Sequence, residues 1–155
     1  MPNGHGKFTS ADGTVYEGNW ENSKMTGQGS CFKRNGASYT GSWLDHMPHG
    51  KGFELFPDKS SYKGNFLKGL KNGYGHLVFP DKGVYKGNFK DDKISGKGKY
   101  TWPDGSISYE GLWLDNKKNG NGILKWTDGS REYEGHFKED ERHGFGVYKW
   151  EYGSK

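Results

Sequence analysis

Hydrophobic and polar residues alternate along this chain in short segments that glycine, proline, asparagine and aspartate separate. A Tyr-x-Gly-x-Trp/Phe segment occurs six times, at residues 16–20, 39–43, 62–66, 85–89, 109–113 and 133–137. The segments between turn signals are about 5–7 residues long, which is a strand length rather than a helix length. The pattern therefore predicts many short β-strands.

A second segment, Gly-x-Gly, follows each tyrosine by eleven residues, and a further copy precedes the first tyrosine, beginning at Gly4. Polar pairs such as Asp91-Asp92 predict one turn, and Pro-Asp or Asp-Gly pairs predict the other. Two strands and two turns fit the 23–24-residue period. We predict an all-β, elongated single antiparallel sheet of stacked β-hairpins, a solenoid-like meander of thirteen strands. It forms one domain, 1–155, with a leading half repeat at 4–13 and hairpin repeats starting near 16, 39, 62, 85, 109 and 133.

The period-two alternation of a strand sorts the residues into two faces. Tyr, Gly and Trp/Phe of the first segment share one face with both glycines of Gly-x-Gly and with the residues four and six positions after its first glycine. Without a bulge, this face holds 20 of the 25 aromatic residues. Glycine leaves the gap that a ring lying across the backbone requires. The opposite face carries Glu17, Asn19, Lys63, Asn65, Lys86, Asn88, Lys97, Lys99, Glu134 and His136.

The repeated segments resemble those of the MORN (membrane occupation and recognition nexus) family, over about residues 4–153. The chain departs from the family pattern at a few positions: Lys59 and Lys82 replace glycine, Cys31 and Glu54 replace apolar residues, and Tyr152 replaces the last turn aspartate. The resemblance implies a cytoskeletal or ciliary scaffold, with the axoneme as one location, that self-associates through its terminal repeats. It also implies a second hypothesis, association with a membrane surface.

Composition limits the remaining alternatives. Only 30% of the residues are hydrophobic, and 27 of 155 are glycine, so a thick aliphatic core is not expected. No apolar run reaches the roughly 18 residues of a membrane span, and no signal peptide is visible at the N-terminus. The single cysteine, Cys31, cannot form an internal disulfide, which favours a cytoplasmic location.

Charge is concentrated in the middle of the chain. The net charge is +4, but residues 51–99 hold eleven lysines and five acids. This segment could contact anionic phospholipid at about 1 kcal/mol per close lysine. The candidate lipid patch is Lys63, Lys68, Lys71, Lys86, Lys90, Lys97 and Lys99. Nucleic acid is not an expected partner, because a stacking platform needs aromatics and lysines on the same face and here they fall largely on opposite faces.

Catalytic chemistry requires one converging set of groups, and none is evident in the sequence. His46 and His49 lie beside Asp45 in a predicted turn, and the aspartates after proline recur with the repeat. We therefore expect a scaffold that is not an enzyme and has no cofactor, metal or catalytic residue. Its expected partner is a helix or an extended segment of another protein. The predicted partner-binding aromatic face is Tyr39, Trp43, Tyr62, Phe66, Tyr85, Phe89, Trp102, Tyr109, Trp113, Trp126, Tyr133, Phe137 and Trp150.

Overall fold

The computed structural model describes residues 3–150, which form one antiparallel sheet with its strands in chain order. The predicted all-β fold and the predicted thirteen strands are confirmed. The predicted turn at Tyr152 lies outside the described residues. The strands are β1 (Gly4–Thr9), β2 (Val15–Glu21), β3 (Lys24–Phe32), β4 (Ser38–Leu44), β5 (Met47–Leu55), β6 (Ser61–Leu67), β7 (Leu70–Val78), β8 (Val84–Lys90), β9 (Lys93–Thr101), β10 (Ile107–Leu114), β11 (Lys117–Trp126), β12 (Arg131–Lys138) and β13 (Glu141–Trp150).

A row of paired glycines crosses the whole sheet, from Gly6 in β1 to Gly146 in β13. At its centre, Gly64 pairs with Gly75, and a β-carbon on Gly64 would lie 2.5 Å from the Gly75 α-carbon. The Tyr62 ring covers Gly75, and its hydroxyl donates a hydrogen bond to the Asn65 carbonyl at 2.8 Å. The row therefore exists because a side chain occupies the space above a glycine of the next strand: the repeat tyrosine in five hairpins, and Met25 in place of Tyr16 at Gly29.

A bulge interrupts the pairing in each hairpin. In β4–β5, one residue separates Gly41 from Trp43, whereas three separate their partners Gly52 and Pro48. The excess is two residues, so the alternation of faces is preserved beyond the bulge. The first glycine of Gly-x-Gly lies inside it: Gly50 has a φ of +91°, and a β-carbon there would approach Ser42 on the opposite face. The prediction that both glycines share the aromatic face is therefore wrong for the first one.

The core is a line of interlocked rings on the aromatic face. Tyr62 makes an edge-on contact with Phe66 of its own strand at 5.1 Å between ring centroids, and with Phe89 of the next hairpin at 5.0 Å. The same pattern links Tyr39 to Phe66. Edge-to-face aromatic pairs contribute about 0.5–1.5 kcal/mol beyond their area. Each hairpin is thus held to its neighbour by ring contacts as well as by backbone hydrogen bonds.

Aspartate organises the turns on one side of the sheet. Asp58 Oδ1 accepts a hydrogen bond from the Ser60 backbone N–H at 2.9 Å, and Asp81 does the same with Gly83. The Ser60 side chain also bonds to Asp58, and this bond lowers the pKa of that carboxyl. The recurring aspartates are therefore explained by turn geometry.

Candidate partner-binding surfaces

Ten of the thirteen residues predicted to contact a partner are buried within the chain itself. They are Tyr39, Trp43, Tyr62, Phe66, Tyr85, Phe89, Tyr109, Trp113, Tyr133 and Phe137. Burial raises the pKa of the Tyr39, Tyr62 and Tyr109 hydroxyls to about 12. These rings form the core, and a partner has little access to them while the sheet is folded.

Besides single exposed rings such as Phe8 and Phe145, a strip of partly accessible rings is formed by the residues six positions after the first glycine in the last five Gly-x-Gly segments. We call it the aromatic strip: Phe56, Phe79, Trp102, Trp126 and Trp150. A groove of about 480 Å³ lies between Phe56 and Phe79, and one of about 570 Å³ is lined by Trp102 and Trp126. Trp150 is 53% exposed. The sequence-based selection contained the three tryptophans but missed both phenylalanines, which the same repeat position could have identified.

Four cations of the described residues lie over the rings of the aromatic face, and the sequence analysis did not identify this arrangement. Arg131 lies over Trp126 at 4.5 Å, and the other three share one repeat position. Lys71 Nζ is 5.2 Å from the Phe56 ring centroid and 5.6 Å from that of Tyr62, and it forms an ion pair with Asp92 at 3.5 Å. Lys118 and Arg142 occupy the same repeat position in later hairpins. Lys118 pairs with Asp140 in the same way. The predicted lipid patch therefore loses Lys71, which belongs to the other face.

The opposite face carries a concentrated positive charge. Register places Lys63, His76, Lys86 and Lys99 side by side across four strands, with Lys97 in the adjacent row. We call Lys51, Lys63, Lys86, Lys97 and Lys99 the basic face. Strands β5 to β9 contain one acid, Glu54, whose partners Tyr39 and Tyr62 place it on the aromatic face. Burial and the neighbouring Lys86 and Lys63 lower the pKa of His76.

The other members of the predicted patch lie near the hairpin ends. Lys68 is in the β6–β7 turn with a φ of +49°, and Lys90 ends β8. Two exposed rings, Phe53 and Tyr74, lie among the lysines of the basic face. The expectation that lysines and aromatics fall on opposite faces holds for most rings, but it is wrong for these two.

A second set of contacts joins each hairpin turn to the preceding hairpin. His46 Nδ1 accepts a hydrogen bond from the Met25 backbone N–H at 3.2 Å, and the His46 N–H donates to the Met25 carbonyl at 3.0 Å. Asn116 holds Ile94 in the same way. Burial, and then Lys24, lower the pKa of His46. His46 thus does more than form the predicted turn, because its neutral imidazole accepts a hydrogen bond that joins this turn to the preceding hairpin.

Neither a metal centre nor a membrane-spanning helix is evident in the part of the chain that the structure describes. Residues 3–150 contain no group of three or more His, Cys, Asp and Glu that could hold a metal ion. No helix in this range is long and apolar enough to cross a membrane.

Comparison with known proteins agrees with the strand pattern. The MORN repeat model matches seven times, at residues 1–15, 16–38, 39–61, 62–84, 85–107, 109–131 and 133–155. The chain belongs to the MORN repeat family. No curated protein sequence gives a significant match to this MORN chain.

Two solved structures that resemble this MORN sheet do so only distantly. One is the SAS-4 (dCPAP) TCP domain of Drosophila melanogaster in complex with a proline-rich motif of Ana2 (dSTIL), with a TM-score of 0.46 and 10% identity over 95% of this chain and 90% of that chain. Another is the CPAP G-box domain, with a TM-score of 0.24 and 14% identity over 96% of this chain and 100% of that chain. Because both TM-scores are below 0.5, neither likeness bears on the function of this chain.

Proposed function

We propose that residues 1–155 form one MORN domain that acts as a non-catalytic scaffold for another protein. The observation that supports this function is the aromatic strip, a row of accessible rings beside a core of buried ones. Such rings give large apolar contact at low entropic cost, and tryptophan is enriched among the residues that dominate binding energy. The partner is a helix or an extended segment lying across successive hairpins.

Charged groups around the strip add direction to such a contact. Asp140, Glu141 and Arg142 line the groove between Trp102 and Trp126. A groove rim that carries both positive and negative charges favours a partner segment whose apolar side chains are flanked by charged residues. We further propose, from its family, that the scaffold works in a cytoskeletal or ciliary axonemal assembly.

The test is capture of partners from a cytoskeleton-rich extract by three folded proteins. These are the wild type, the strip variant Trp102→Ala/Trp126→Ala, and the matched control Lys63→Ala/Lys99→Ala on the basic face. We expect the control to retain the wild-type partners and the strip variant to lose them. Identical partners for all three proteins would contradict the proposal.

The basic face supports a second candidate function, binding to an anionic membrane. Lysines that lie side by side on an open sheet face attract anionic lipid at about 1 kcal/mol per close residue. We expect liposomes with phosphatidylserine and phosphoinositide to float the wild type at low salt, and the variant Lys63→Glu/Lys86→Glu/Lys99→Glu to stay unbound. The control Lys24→Glu/Lys33→Glu/Lys117→Glu has the same net charge and should float. Loss of flotation in both variants would mean that net charge, rather than this face, is responsible.

A further inference from the structure

One repeat position places a cation over the aromatic core in three hairpins. It is the residue directly across from the Trp or Phe of the same hairpin, in the register pairs Phe66–Lys71, Trp113–Lys118 and Phe137–Arg142. All three cations lie within 5.7 Å of the repeat tyrosine's ring centroid. Ammonium and guanidinium groups are attracted to the faces of aromatic rings at this range. The fold therefore has a cation site built from its own rings.

The hairpin β4–β5 carries proline at this position. Pro48 pairs with Trp43, so no cation is supplied from the equivalent residue. A groove of about 180 Å³ lies here, lined by Tyr16, Tyr39 and Trp43 together with Pro48 and Glu54. Lys33 and His46 also line this groove. Among the described residues, Lys33 makes no cation–π contact like those of Lys71 and Lys118.

Glu54 adds a carboxylate to the same groove. Register places it between Tyr39 and Tyr62, in a row where the leading strand has Phe8 and the other hairpins have Cys31, Leu77, Tyr100, Leu124 and Tyr148. With the described residues it forms no hydrogen bond and no ion pair within 4.0 Å. Burial raises the pKa of this carboxyl, and Lys71 partly opposes that effect. A half-buried carboxylate among aromatic rings is stabilised by a cation.

Trp43 provides a further unused group. Its indole Nε1 is buried without a hydrogen-bond partner in the described structure. The equivalent Trp20 and Trp113 donate to the Gly6 and Gly98 carbonyls, at 3.0 and 3.1 Å. Buried donors are rarely left unpaired. The missing cation is shared with β2–β3 and β8–β9, where Met25 and Ile94 hold this position. Among the described residues, what sets β4–β5 apart is the carboxylate of Glu54 in the aromatic row together with the unpaired Trp43 donor. That N–H needs an acceptor, so it reports on the groove and does not itself bind a cation.

We propose that the groove at Tyr16, Tyr39, Trp43 and Glu54 binds a lysine or arginine side chain of the protein partner. The incoming cation takes the place that Lys71 and Lys118 take in their own hairpins, and Glu54 supplies the charge that Asp92 and Asp140 supply there. The inference rests on the proposed function only in taking the cation from a protein. Its first test needs no partner.

The test uses n-butylammonium as a probe of the lysine side chain, with the tryptophan indole N–H signals observed by NMR. We expect the Trp43 signal, assigned with Trp43→Phe, to shift saturably with a dissociation constant on the order of 10 mM. Glu54→Gln should weaken binding about fivefold, and Pro48→Lys, which supplies the cation from within, should abolish it. Lys71→Ala should open a second site beside Phe56. Lys33→Ala should bind at least as well as the wild type.

Two outcomes would overturn the proposal. Shifts that stay linear and equal in the wild type, Glu54→Gln and Pro48→Lys would show that the groove is not a cation site. Tighter binding of tetramethylammonium than of n-butylammonium would assign the groove to a quaternary ammonium ligand instead of a lysine. If either occurs while the strip variant still loses its partners, the proposed function stands and this inference fails. If the wild type binds n-butylammonium but captures no partner, the cation site is supported and the proposed scaffold function fails.

Discussion

The ring of Tyr62 lies across the α-carbon of Gly75, in the space that a β-carbon on Gly75 would occupy. Tyr62 is fully buried, so it cannot move aside without disturbing its neighbours. We predict that Gly75→Ala lowers the free energy of unfolding by about 1–3 kcal/mol, because it overpacks the core. Chemical denaturation measures this change.

Gly6 offers a matched control for this substitution. It is also the second glycine of a Gly-x-Gly segment, but a β-carbon there would meet only the Trp20 ring at ordinary contact distances, Cδ1 at 3.7 Å and Nε1 at 3.9 Å. We expect Gly6→Ala to change the free energy of unfolding by less than about 0.5 kcal/mol. Equal destabilisation by both substitutions would show that strand glycine in general, rather than the ring contact, sets the cost.

His46 makes the link between its turn and Met25 dependent on pH. Its folded-state pKa is lowered, so its contribution to stability is present above the ordinary histidine pKa of about 6.5 and is lost as pH falls through the folded value. His46→Asn keeps an acceptor, as Asn116 does in its own turn, and removes the titration. We predict that the variant loses less stability than the wild type between pH of about 7.5 and 5. Identical pH profiles by denaturant titration would exclude this role.

The contact between Asn116 and Ile94 tests the link itself. The Ile94 residue is buried, and its backbone N–H donates to Asn116 Oδ1 at 2.8 Å. Asn116→Gly removes the acceptor but keeps the positive φ, and we expect it to cost about 1 kcal/mol in the free energy of unfolding. Asn116→Asp retains the acceptor, as at Asp140. Thermal melts in which Asn116→Asp is as unstable as Asn116→Gly would contradict the role of this bond.

The buried tyrosines predict sensitivity to alkali. The pKa of Tyr62 is raised to about 12. The stabilisation from its neutral hydroxyl is therefore complete below the ordinary tyrosine pKa, and it is lost as the pH rises through the raised, folded-state pKa. We expect the circular dichroism of the sheet to disappear together with ionisation of these tyrosines, followed by tyrosinate absorbance. Ionisation of every tyrosine near the ordinary pKa, with the sheet intact, would show that the rings are accessible to solvent.

The regular features of the fold could be predicted from the sequence because the same residue types recur at the same positions in each repeat. Period-two alternation placed Tyr62 and Phe66 on one face, and Pro-Asp pairs marked the turns. The direction of Gly50 could not be predicted, because the bulge that turns it depends on how two strands pair. The bulge adds two residues to one strand, and because this number is even, the residues beyond the bulge lie on the predicted faces.

The candidate site was less predictable, because repeat position does not give solvent exposure. Tyr85 and Trp102 belong to the same predicted surface, yet Tyr85 is fully buried and Trp102 is only partly covered. The difference arises from ring contacts between successive hairpins, which involve residues about one repeat apart. Lys71 shows the same limit, since its charge suggested a lipid-facing residue while its position placed it over Phe56.

The central claim is that accessible rings of the aromatic strip, rather than the basic face, bind the protein partner. Its most direct test is the affinity of one captured partner, purified, for the three folded proteins by isothermal titration calorimetry. We predict that Trp102→Ala/Trp126→Ala weakens binding by at least about 2 kcal/mol, or roughly thirtyfold, while Lys63→Ala/Lys99→Ala stays within about threefold of the wild type. Unchanged affinity in the strip variant, with loss in the lysine variant, would contradict the account.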